Sequence, residues 1–175
     1  MASGVTEVLG ITSAGHFWQE VVRPNALHYS QHPTAREAFN LAASLWHLID
    51  WIFEDPRLNP QCQQKSDLQA TLRQQCPALG VMHDITTLYK HARITKPQGK
   101  VAATDVEMLG ATFYFGPGGP VSEHPAEYSV TLEGGEQRPL NELFEEALRF
   151  WDGYLRVCRI LCKRTIHRRR KPACP

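Results

Sequence analysis

The sequence predicts a mainly α-helical bundle with a small inserted antiparallel β-hairpin or sheet. Apolar residues recur at helical spacing through three long stretches, beginning at Thr34, near Ala78 and near Asn141. Capping residues and prolines bracket these stretches. Between the second and third, the region near 101–138 changes texture, with β-branched and aromatic residues punctuated by glycine and proline.

In chain order, residues 1–12 read as a flexible lead-in. A short helix is expected from about Ser13 to Arg23, ending there because a proline disfavours helix in the residue before it, here Pro24. "TARE" is a capping box in which Thr34 accepts from the Glu37 amide and Glu37 reaches back. The helix it opens runs to Pro56, with Leu41, Ala42, Leu45, Leu48, Ile49 and Ile52 as its apolar stripe. After a polar loop at 56–65, Ser66 is expected to cap a helix through Cys76. Pro77 then suits the first turn of a helix from about Ala78 to Arg93. "GATFYFG" and "EYSVTLEGGEQRPL" predict two or three short strands, with "GPGGP" (116–120) as a flexible turn and "TLEGGEQR" as a hairpin turn. The last helix starts near Asn141, where Glu142, Glu145 and Glu146 suit the positive end of its dipole.

The 175 residues fit one domain, expected at 13–162 with a basic tail at 163–175. A formal net charge of +1 conceals a segregation. Lys163, Arg164, Arg168, Arg169, Arg170 and Lys171 crowd the C-terminus and leave the body acidic. Such a tail attracts phosphates through counterion release. The five cysteines are odd in number and form no CxxC pair, which argues against a disulfide framework and for a cytoplasmic setting. No secretory leader and no membrane-length apolar run is apparent.

Two polar clusters interrupt the apolar helices. His47 and Asp50 lie three apart in "LWHLIDW", a spacing at which the carboxylate can fix the tautomer of a general base. His83, Asp84, Lys90 and His91 lie within "MHDITTLYKH", where Asp84 and His91 are two turns apart on one face. If the two segments meet around one solvent-reachable hollow, they offer imidazole, carboxylate and ammonium groups to a phosphate and a proton. The bland alternative is a solvated or structural polar face. Metal-ligating motifs such as HExxH are missing, so neither a metal nor another cofactor is expected. Cys76, before Pro77 at a helix junction, reads as a buried small hydrophobe more readily than as a reactive thiol.

The order "WHLIDW", "LRQQCPALGVMHDITTLYKH", "VTLEGG" and "LFEEALRFWDGYL", over roughly residues 34–156, resembles a group of small bacterial helical proteins without an assigned activity. More distantly, the segment is similar to the HEPN superfamily of helical, often dimeric proteins, many of them metal-independent RNases of toxin–antitoxin or phage-defence systems. Their motif pairs an Arg with a His across four to six intervening residues; His91 matches the His, whereas His83 stands near the place of the Arg, with seven residues between. The resemblance implies a homodimer that binds or cleaves RNA, with His91 moving the proton and Asp84 and Asp50 orienting it. Lys90, Arg164, Arg168, Arg169, Arg170 and Lys171 would hold phosphates. The alternatives are a metal-dependent enzyme of the DinB type, to which "LWHLIDW" is similar, and a non-catalytic module that binds a protein partner.

Overall fold

A computed structural model describes residues 9–55, 58, 64–91, 108–109, 114–116, 119–121, 127–132 and 135–169. Of Tyr89, His91, the strand residues before 128 and the helix beyond 158, only the backbone is described. The chain is mainly helical with small antiparallel sheets, as its periodicities predict.

Helix α1 (Ala14–Phe17), a π-helical turn (Trp18–Val22) and α2 (Arg23–Gln31) follow one another without a break. The helix therefore does not stop at Pro24 as expected. The wide turn accounts for this: the Arg23 amide donates to the Trp18 carbonyl five residues back. That widening gives room for the proline ring, which in a regular α-helix would strike the carbonyl four residues before it. Ser13 caps α1 by accepting from the His16 amide at 3.1 Å.

Helix α3 (Ala35–Glu54) is the centre of the molecule, with Leu41, Ala42, Leu45, Leu48, Ile49 and Ile52 all buried. Thr34 caps it by accepting from the Glu37 amide at 3.3 Å. The Glu37 carboxylate does not close a reciprocal box. Oε1 accepts from Arg36 Nε at 2.9 Å and pairs with Nη2 at 2.7 Å, a charge-assisted fork that outcompetes a neutral amide. Helix α4 (Lys65–Gln75) begins one residue before Ser66, with Gln64 at the cap position and no side-chain cap bond. Ser66 is thus inside the helix and cannot cap it. Pro77 sits in the turn that leads into α5 (Ala78–His91).

The inserted strands are β1 (Met108–Leu109), β2 (Tyr114–Gly116), β3 (Gly119–Val121), β4 (Glu127–Thr131) and β5 (Gln137–Pro139). They form a three-stranded antiparallel sheet in the order β1-β4-β5 and a separate β2-β3 pair. Gly116 opposes Gly119 at the end of the pair, and the middle of "GPGGP" lies outside the described residues. The predicted hairpin joins β4 to β5, and Gly135 supplies a φ of +84°. Tyr128 and Val130 pack their sheet against α6 (Leu140–Arg169), whose Leu143, Phe144, Ala147, Trp151 and Leu155 complete the core. The backbone of the basic segment continues α6 as far as Arg169.

Candidate functional site

Helix α5 packs along α3, so the two imidazole-bearing segments do become neighbours. They nevertheless form two separate pairs. His47 Nδ1 lies 3.0 Å from Asp50 Oδ2, and Lys65 Nζ from the start of α4 lies 3.2 Å from Asp50 Oδ1. Burial pushes the Asp50 carboxyl up, but hydrogen bonds from His47 and Lys65 outweigh it and hold the group below the usual carboxylate range. All three side chains remain well exposed.

The second pair is more enclosed. His83 Nδ1 lies 2.9 Å from Asp84 Oδ1; the imidazole is 24% exposed and the carboxylate 0%. Asp84 is fully buried, so a solvated polar face does not describe it. A buried carboxylate needs partners, and a hydrogen bond to an imidazole supplies one. The His83 ring is packed edge-on against Trp46, with centroids 4.8 Å apart. Arg73 of α4 also rests on Trp46, with its guanidinium carbon 5.9 Å from the ring centroid. Trp46 thus gathers an imidazole from α5 and a guanidinium from α4. It is one residue from His47, or about 100° around the helix.

Of the residues expected to share one hollow, the fold hydrogen-bonds His47 to Asp50 and His83 to Asp84. Consecutive residues of α3 face the two groups: His47 belongs to the first, and Trp46 packs on the second. The His91 side chain lies outside the described residues, as do those of Arg164, Arg168, Arg169, Arg170 and Lys171, while Lys90 is exposed. Among the described residues, no three His, Cys, Asp or Glu side chains come close enough to hold a metal ion. Cys76 is buried, and burial pushes its thiol pKa up, which fits a packing role.

Arg73 was not legible as a site residue. It stands on a different helix from His83, and only the turn at Cys76 and Pro77 folds α4 against α5. Its one sequence signal is position: a lone arginine in the last turn of an amphipathic helix. Among the described residues, no helix is long and apolar enough to cross a membrane. No family model, curated protein or solved structure matches this chain.

Proposed function

We propose that this chain acts on RNA as a metal-independent nuclease or binding protein of the bacterial defence or toxin–antitoxin type, with His83 and Asp84 as its proton-transfer pair. The supporting observation is the 2.9 Å bond between a fully buried carboxylate and a partly exposed imidazole. Asp84 engages Nδ1, which leaves Nε2 as the nitrogen able to take a proton from a hydroxyl group. Arg73 contributes a permanent cation beside the same indole, suited to a phosphate. Lys90 and the basic residues at 163–171 would hold phosphates, and His91, expected from the sequence to move the proton, has its side chain outside the described residues.

The test uses the full chain, single-stranded RNA and a chelating buffer at low salt. Binding should weaken steeply with added salt. His83→Ala and Asp84→Asn should each reduce cleavage by about two orders of magnitude, the usual contribution of a positioned acid–base group. Arg73→Ala should weaken binding more than it slows the bound complex. A chain that neither binds nor cleaves RNA sinks the proposal. Binding that survives without cleavage, and without any effect of His83→Ala, removes the catalytic part alone.

A further inference from the structure

A hollow of about 330 Å³ opens between α2, the first half of α3 and the first turns of α6. It shares no residue with the His83–Asp84 pair or with Trp46 and Arg73. Two of its sides are stripes at helical spacing. Ala26, Tyr29, Ser30 and Pro33 come from α2 and the turn after it; Asn141, Phe144, Glu145 and Leu148 come from α6. Leu41 of α3 completes the lining. Packed stripes normally interdigitate until few voids larger than a water molecule remain. Here Ala26, Ser30 and Pro33 are too short to fill the space. Tyr29 spans it at one place, where its hydroxyl donates to Asn141 Oδ1 at 2.8 Å and its ring meets Phe144 with centroids 4.9 Å apart.

The lining divides by polarity. Tyr29, Leu41 and Phe144 are buried, whereas Ser30, Asn141 and Glu145 are exposed. The exposed groups are rich in acceptors. The Ser30 hydroxyl spends its proton on the Leu27 carbonyl at 2.8 Å, which leaves its oxygen to accept. Glu145 is the only charged residue of the lining among the described residues, and none of them forms an ion pair with its carboxylate. Arg149, one turn further on, donates its Nε to the Glu145 backbone carbonyl at 3.2 Å instead. Glu145 also lies beyond the first turn of α6, where the positive end of the helix dipole has faded. An anion would therefore meet a like charge and no cation in the lining. An ammonium group finds the opposite: a carboxylate and a hydroxyl oxygen to accept its protons, with aromatic rings beside them. The volume is at the small end of ligand pockets, which run to about 300–1,000 Å³.

We propose that this hollow binds a small organic amine. The ammonium head is held by Glu145 and Ser30, and an apolar body lies on Leu41, Phe144 and Leu148. Tyr29 is a positioning residue that fixes Asn141 at the edge of the site. Amine binding here is independent of any action on RNA, because the two sites have no residue in common and opposite preferences for charge.

Titration of the isotope-labelled full chain with phenethylammonium, followed by amide NMR, tests the proposal. Saturable shifts are expected at Ala26, Ser30, Glu145 and Leu148. Phenethyl alcohol, which lacks the charge, and hydrocinnamate, which reverses it, should bind at least tenfold more weakly. Methylammonium, which lacks the apolar body, should be weaker by at least as much. Glu145→Gln should weaken phenethylammonium binding at least tenfold, the loss expected for one charge-assisted hydrogen bond. Ala26→Leu should abolish binding by filling the hollow, with the melting temperature unchanged or raised. Glu145 is exposed, so its variant keeps the test decisive even if Ala26→Leu perturbs the fold. Absence of any shift at about 10 mM amine overturns the proposal. Equal binding of the alcohol, or indifference to Glu145→Gln, overturns the assignment of the head group. Binding that a folded Ala26→Leu chain retains in full overturns the location.

Discussion

The indole nitrogen of Trp151 donates a 3.1 Å hydrogen bond to the carbonyl oxygen of Leu45, tying the middle of α6 to the middle of α3. Both side chains are fully buried. Replacing Trp151 with Phe removes the donor and leaves a void beside the central helix. The expected loss is about 1–3 kcal/mol, from the missing bond and incomplete repacking. Urea unfolding followed by far-ultraviolet circular dichroism measures it. An unchanged midpoint would mean that the bond contributes nothing net.

The two hydroxyl residues expected to cap helices, Thr34 and Ser66, should respond differently to mutation. Thr34 holds the Glu37 amide, so Thr34→Ala should cost about 1 kcal/mol. Ser66 stands inside α4 and caps nothing, so Ser66→Ala should stay within about 0.5 kcal/mol of the parent. Equal losses in paired unfolding curves would contradict the helix start at Lys65.

Tyr29 connects α2 to the start of α6. Its hydroxyl donates to Asn141 Oδ1 at 2.8 Å, and its ring meets Phe144 edge-on. Burial first, and the neighbouring Tyr128 second, push its pKa up to about 12. Deprotonation is therefore easier in the unfolded chain. The stabilisation is complete below the ordinary value near 10 and is lost as pH rises through the folded value. At neutral pH, Tyr29→Phe should cost about 1 kcal/mol for the lost hydrogen bond. Between about pH 10 and 12 the parent should lose this advantage, as melting of the two proteins side by side would reveal. A difference constant across that range would refute the raised pKa.

The His47–Asp50–Lys65 cluster gives the opposite dependence. The Asp50 carboxyl is held below its ordinary range in the folded chain. Its contribution is therefore present above the unfolded value of about 3.9 and lost as pH falls through the folded one. Asp50→Asn should flatten the acid limb of the stability profile and leave the alkaline limb alone. Because all three groups are exposed, the effect should be small and should shrink with added salt. Chemical denaturation from pH 5 downwards, at low and high salt, is the measurement.

Much of the fold was legible because it depends on local order. Leu41 to Ile52 repeat at helical spacing and are buried together. Thr34 signals its own helix start, and the glycines after Leu132 mark their hairpin. Misreadings came where a neighbour changed the local preference. Pro24 is accommodated by a π turn that its own residue type does not announce. Glu37 is taken by Arg36. The cap of α4 moves to Gln64.

The candidate site divides along the same line. The chain by itself determined which polar residues interrupt its helices, and that His47 and Asp50, three apart, would meet. Periodicity does not say how far α5 is rolled against α3, and that roll alone buries Asp84 and turns His83 towards Trp46. Nor does it bring Arg73 onto that indole. Such contacts depend on the packing of side chains far apart in sequence, which only the assembled molecule decides.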